Sequence, residues 1–511
     1  MCTRDFNVLA AAALALAATS FCGRPAPAPP AHGTIVVAIE SDPLSFDPRV
    51  GTDQASWRTH EAMYNALLRK GDGGEFAPDL AERCDSADAT VWSCRLREGV
   101  RFHDGRPFSS TDVVFTYRSL LSEGFPSGKK EPLRIIREVV ATSPRDVEFR
   151  LASPYASFPL QLLLGILPDG TTDDDAKERP VGTGPFRFVA YRPDDRVDFA
   201  RFDGHFAGPA RSARLVFRIV PDTTTRALEL LNGTIDLALN GIPPDLLPRF
   251  ARHDRLAVTV RPGSTYAYIA FNFRDPVLAK REVREALALA LDREALARGL
   301  FRGSVEPTET LMPPGHWARD DGLPKRGRDL PRAAALLDAA GFPDPGGGKP
   351  RLEIAYKTST DEVAILQATA IADQWKDVGV KTVIRSNDFA TFYQDVVKGN
   401  FQLYALRWQG IVDPDHYHDV FLSTAVPPKG WNRGFYRDAE MDRWIGTARA
   451  VVDRAVRRDL YAKIQRRAAE ELPYASLYTM KNVAVHAKDL TGLDTINLAG
   501  DFTFLGNVGR E

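Results

Sequence analysis

The sequence predicts a mixed α/β protein of more than one domain, and three observations carry that expectation. At 511 residues the chain is too long for one hydrophobic core, since cores stop growing near about 250–300 residues. A strand–helix–strand order occurs twice: LVFRIVPD, TTRALELLNG and IDLALN within 215–240, then RLEIAYKT, DEVAILQATAIADQWKDVG and VKTVIRS within 351–386. Such units build sheets covered by helices. The composition, 44% apolar and 26% charged, is that of a folded globular chain rather than a disordered or membrane-embedded one.

The elements follow in order. Val8–Ala18 is continuously apolar, too short for the roughly 20 residues that span a bilayer but suited to an export signal. Residues 1–22 are therefore expected to be a signal peptide ending at Cys22, the candidate for lipidation. Phe21 before it departs from the small residue such a signal carries, which leaves a freely periplasmic product as the alternative. Residues 23–33 are Pro-rich and read as an extended tether. TIVVAIE at 34–40 is a β-branched strand, and WRTHEAMYNALLRK (Trp57–Lys70) has helical spacing with Met63, Ala66 and Leu67 on one face. The run from Arg83 to Phe108 reads as antiparallel strands and turns. Its Cys84 and Cys94 flank a polar turn, and an oxidising compartment predicts a disulfide across that hairpin. STDVVFTYRSLL, opening at Ser110, is a helix. The alternating stretch VGTGPFRFVAYRPDDRVDFARF from Val181 gives strands with one buried face, and EVREALALALDREALARGLFRG an amphipathic helix. FQLYALRW is a strand that leads into QGIVDPDHYHDVF.

Several functions are excluded or disfavoured. A net charge of −1 without Lys or Arg runs argues against a nucleic-acid partner. No HExxH, nucleophile elbow, phosphate loop or dinucleotide fingerprint is present, so no enzyme activity and no cofactor are expected. His103-Asp104-Gly105 reads as a tight turn, and Gly182-Thr183-Gly184-Pro185 lacks the Lys and helix of a phosphate loop. Asp413, Asp415, His416, His418 and Asp419 are metal-ligand types. Asp-Pro-Asp is equally loop chemistry, and His418-Asp419 suits the start of a helix. No metal site is assigned.

Taken together, PDLAERCDSADATVWSCRLREGVRFHDGRPFSSTDVVFTYRSL, GTGPFRFVAYRPDD, RALELLNGTIDLA, YIAFNFRDP with VREALALALDREAL, and ALRWQGIVDPD with ELPYASLY resemble the bacterial extracellular solute-binding proteins of family 5. The resemblance covers nearly the whole chain beyond Gly33. It implies a periplasmic-binding-protein-like, two-lobe α/β fold with a small inserted domain. Lobe I would comprise 34–58, 181–265 and 481–511, the insert 59–180 and lobe II 266–480. It further implies a monomeric periplasmic protein that hands a solute, with oligopeptides leading, to the permease subunits of an ABC importer. A non-peptide solute or a metal chelate is the alternative. In peptide-binding relatives a Trp ends the strand and an Asp three residues later accepts the ligand ammonium. Trp408 matches, but position 411 is Ile, so that role passes to Asp413 or the ligand lacks a free amine. Lys357 and Arg433 are the candidates for a ligand carboxylate. Gly410 is expected beside Trp408, Phe46, Asp53 and Gln54 on the facing lobe, and Tyr266 at the crossing.

Overall fold

The computed structural model describes residues 33–511; the signal segment, Cys22 and all of the tether before Gly33 lie outside the described residues. Strand β1 (Thr34–Ile39) is buried on both faces from Ile35 onward, which its β-branched run permits in a helix-covered parallel sheet. Helix α1 (Gln54–Met63) starts where the Asp53 side chain accepts from Ser56 N. It begins three residues earlier than the sequence pattern predicts and stops at Met63. Leu68–Lys70 is a short strand paired with Phe76–Pro78 instead. The stop coincides with a crossing chain: a Cβ on Gly182 would lie 2.1 Å from the Met63 carbonyl oxygen.

A four-stranded antiparallel sheet follows, formed by Ala81–Asp85, Val91–Leu96, Asp146–Leu151 and Ile136–Ser143. It has its own core around Trp92, Phe149 and Phe158. Cys84 and Cys94 face each other across its first pair, with sulfur atoms 2.03 Å apart. Gly105 N donates to Phe102 O, closing the expected turn at 2.9 Å.

Strand β2 (Arg214–Ile219) leads through α2 (Thr223–Asn232) to β3 (Leu237–Leu239), and both strands lie parallel to β1, one on each side. Two long strands come next in importance, β4 (Leu256–Phe271) and, far along the chain, the one that pairs with it. Between them the chain forms β5 (Leu352–Ser359), α3 (Glu362–Lys376), β6 (Val380–Asn387), α4 (Phe389–Lys398), β7 (Leu403–Trp408), α5 (His416–Phe421) and finally that partner, β8 (Tyr474–Ala487). The sheet order is β6-β5-β7-β4-β8-β3-β1-β2, completed by Arg196–Arg201 and Phe186–Arg192. β5, β6 and β7 are mutually parallel.

The antiparallel ladder of β4 and β8 runs from Leu256↔Ala487 to Ala270↔Tyr474, with a register shift between Ala267 and Tyr268 and a wider break between Arg261 and Thr265. The apolar cores divide at that wider break. Ile35, Phe217 and Ala484 belong to one side, and Ile269, Tyr356, Trp375 and Leu477 to the other. The break has a steric cause. A Cβ on Gly263 would stand 2.2 Å from the Met480 carbonyl oxygen, so the chain approaches there as only glycine can.

Candidate functional site

The topology determines where a solute can be held. In the second half, α3 carries the chain outward from β5 to β6, and α4 returns it to β7 on the other side of β5. The crossover helices consequently cover opposite faces: Trp375 of α3 packs in one core and Phe392 of α4 in another. Such a switch opens a crevice at the carboxyl ends of the strands. The first half does the same, with β1 between β2 and β3. Trp408, ending β7, pairs with Tyr266 just beyond the break in β4, and Leu239, ending β3, pairs with Ala484 just past it in β8. Both sets of carboxyl ends thus face one junction.

Trp408 is the centre of an aromatic stack. Its ring lies 5.3 Å from Trp431 and 5.9 Å from Tyr268, whose ring is in turn 4.0 Å from Tyr474, while His416 meets Trp408 edge-on at 4.8 Å. The Arg433 guanidinium sits 4.8 Å from the Trp408 ring centre and 5.0 Å from that of Tyr393. Gly410, with φ +66 and open space beside its Cα, turns the chain away from the stack. Burial holds the His416 imidazole down at about 4, so it is neutral at physiological pH.

Apart from Gln54, the other residues singled out in the sequence are committed to internal partners. Phe46 is in the core, edge-on to Tyr191 at 5.3 Å. Asp53 caps α1, and Gln54 is exposed beside it. Tyr266 is buried, its hydroxyl 2.7 Å from that of Ser476. Lys357 donates to Asp395 at 2.5 Å and to the Asn400 carbonyl at 2.6 Å, so its ammonium is already matched by a carboxylate from α4. Ile411 is 3% exposed and packs in the core with Tyr417 and Phe421, while its backbone N donates to Ser264 O at 3.3 Å. The structure brings together Trp408, Gly410 and Arg433, and keeps Lys357 apart from them.

Asp413 joins the small domain to this half. Ser157 Oγ donates to Asp413 Oδ1 at 2.6 Å and accepts from Arg457 Nη2 at 2.6 Å. Nearby, Ala156 N donates to Arg449 O at 2.7 Å, and the Arg449 guanidinium lies over the Tyr155 ring and 3.4 Å from Asp415. Burial pushes the Asp415 carboxyl up to about 6 against the pull of Arg449. The helix of this segment starts at His416, two residues before the expected start. Asp415, at its N-cap position, makes no side-chain capping bond. Among the described residues no group of three or more His, Cys, Asp or Glu is arranged to hold a metal ion. A separate cavity of about 620 Å³ runs from Lys70 and Asp72 to Arg261 and Asn497, lined from the first half and the small domain without the Trp408 stack.

Sequence reasoning missed Ser157, Tyr393, Trp431 and Tyr474. The one local signal was the pair of polar, aromatic motifs that contain Trp408 and Trp431; nothing local links them to Tyr393 or Ser157.

Among the described residues no helix is long and apolar enough to cross a membrane. Comparison with known proteins agrees with the fold. The oligopeptide-binding protein AppA of Bacillus subtilis is 24% identical over 489 residues, covering 91% of this chain and 89% of its own. The dipeptide-binding protein of Escherichia coli is 26% identical over 464 residues, covering 84% and 86%. NikA from Brucella suis in complex with Fe(III)-EDTA superposes with a TM-score of 0.84 at 22% identity, over 94% of this chain and 100% of that one. The family model for bacterial extracellular solute-binding proteins, family 5, matches residues 75–427, and with that match over most of its length the chain belongs to this family.

Proposed function

We propose that the protein is the solute-binding component of an ABC importer, which captures a solute between two lobes, closes on it and presents it to a membrane permease. The observation that carries this reading is the convergence of both sets of strand carboxyl ends on one junction, crossed by β4 and β8 at the break around Gly263. Lobe I is 34–58, 181–265 and 481–511, the insert 59–180 and lobe II 266–480. Solute contacts to both lobes stabilise the closed form by their difference in affinity between closed and open states. Trp408, Gly410 and Arg433 supply the lobe II side and Gln54 the facing side. Export to the periplasm suits the Cys84–Cys94 pair, and the protein works as a monomer without cofactor or turnover.

The relatives named for oligopeptides and dipeptides make an oligopeptide the leading solute class. A solute without a free amine is the second reading. It is favoured by the burial of Ile411 and by the commitment of Asp413 to Ser157, which remove the two positions where an ammonium acceptor was expected.

Native mass spectrometry of protein purified without denaturation tests the proposal by identifying a co-purifying solute. A thermal-shift screen of peptides, acids and metal chelates complements it, since a ligand at 100 times its Kd adds about 2.7 kcal/mol. Absence of any bound solute in both experiments, or turnover of a bound one, overturns the binding-protein reading.

A further inference from the structure

We infer that Arg433 is the anchor for the anionic group of the solute, and that the solute is a flat, conjugated carboxylic acid without a free amine. The inference rests on the binding-protein reading above; it takes the second solute class, one without a free amine, over the oligopeptide and narrows it.

Arg433 is 4% exposed. Its one well-formed hydrogen bond goes from Nη2 to the Tyr393 hydroxyl at 2.8 Å, not to a carboxylate. The Trp408 and Tyr393 rings add cation–π attraction. Removing a guanidinium from water costs more than such contacts return, so the rings leave the charge undercompensated. The carboxylates of the surrounding segments have partners of their own: Asp413 has Ser157, Asp395 has Lys357, Asp419 has His418 and Asp415 has Arg449, with Asp415 Oδ1 left unpartnered.

The polar atoms around the guanidinium point the same way. Arg433 Nε, Trp408 Nε1, His416 Nε2 and the hydroxyls of Tyr268, Tyr404 and Tyr474 are all buried without a well-formed hydrogen bond, and they crowd together: Tyr404 lies against Tyr268 and Arg433, and Tyr474 against Tyr268 and Trp408. Native proteins bury few such atoms, and each calls for an explanation. Five of these groups are able donors: the guanidinium Nε–H, the indole N–H and three hydroxyls. A carboxylate is the complementary acceptor, with about four lone-pair sites and the opposite charge. An ammonium finds no free carboxylate in this group.

The shape of the solute follows from the surrounding rings. Trp431, two residues before Arg433 on the same loop, stacks on Trp408 and is 43% exposed; Phe389 stacks on Tyr393 at 5.9 Å and is 59% exposed. These rings give a flat body an aromatic face beside the buried cation, with Trp431 as the outer ring that must move to admit the carboxylate.

Benzoate, benzamide and benzylamine form a matched test at equal ionic strength, read by calorimetry and thermal shift on the exported protein freed of co-purified solute. Benzoate should bind at least about 10-fold more tightly than either isostere, a difference of about 1.4 kcal/mol, and Arg433→Gln should abolish the preference, with partial recovery in Arg433→Lys. Should Arg433→Gln fail to fold, Tyr268→Phe replaces it: loss of one donor should weaken benzoate several-fold and leave benzamide unchanged. Equal binding of benzoate and benzamide, or an acid preference that survives these substitutions, overturns the inference. A co-purifying solute that proves neutral or cationic overturns it too, while leaving the binding-protein reading intact.

Discussion

Ser157 and Asp413 stand 256 residues apart in the chain and share a hydrogen bond of 2.6 Å. The bond ties the small domain to the half that carries Trp408, and Arg457 completes it from the same half.

Removing this contact should loosen closure without touching the solute. Ser157→Ala deletes a buried donor to Asp413, at a cost of about 1–2 kcal/mol. Small-angle scattering of the protein without added solute should show a larger radius of gyration, and the melting temperature should fall. An unchanged radius and melting temperature would mean that the contact does not hold the two parts together.

Gly263→Ala tests the break between β4 and β8. The added Cβ would meet the Met480 carbonyl at 2.2 Å, and forcing an atom into a packed site costs about 1–3 kcal/mol. Urea denaturation should report a loss in that range, and a loss under about 0.5 kcal/mol would show that the crossing relaxes freely.

Ile411→Asp puts a carboxylate at the position where the family resemblance leads us to expect one. Here the side chain is 3% exposed among Leu311, Tyr417 and Phe421, so a charge there is buried and unpaired. We expect a stability loss of several kcal/mol and no gain in dipeptide affinity by calorimetry. A stable variant that binds dipeptides would place position 411 on the solute.

Asp415 sets a pH dependence. Burial raises its carboxyl to about 6 in the folded protein, so the native state holds a proton that the unfolded chain has released. Its contribution to stability is fully present below the unfolded pKa of about 4 and is lost as pH rises through about 6, a change of about 3 kcal/mol. The difference in unfolding free energy between wild type and Asp415→Asn should therefore shift by that amount between the two ends of the window. A difference independent of pH would show that Asp415 does not titrate there.

The strands and crossover helices were legible because period-2 and period-3.6 patterns act locally. IDLALN and RLEIAYKT announce their burial without reference to the rest of the chain. The ends of elements were less so. Trp57–Lys70 has a continuous helical pattern, yet its last residues pair with Phe76–Pro78, a tertiary preference that propensity cannot register. The site was legible in part. Trp408 and Arg433 stood out, but Lys357 looked like a free cation because its partner Asp395 lies on the next helix but one, and Asp413 looked available because Ser157 is remote in sequence. Partners chosen by the fold decide which charges remain available.

The passage of β4 and β8 through both halves also couples the crossing to the aromatic stack. A tilt about Gly263 needs adjustment in these two strands, and the same strands carry Tyr268 and Tyr474, which stack on one another and, through Tyr268, on Trp408. Trp431 and Arg433 sit on the loop beyond α5. Exchanging that loop alone would therefore alter one wall of the stack, and moving a whole binding preference between proteins of this architecture would require the two long strands as well.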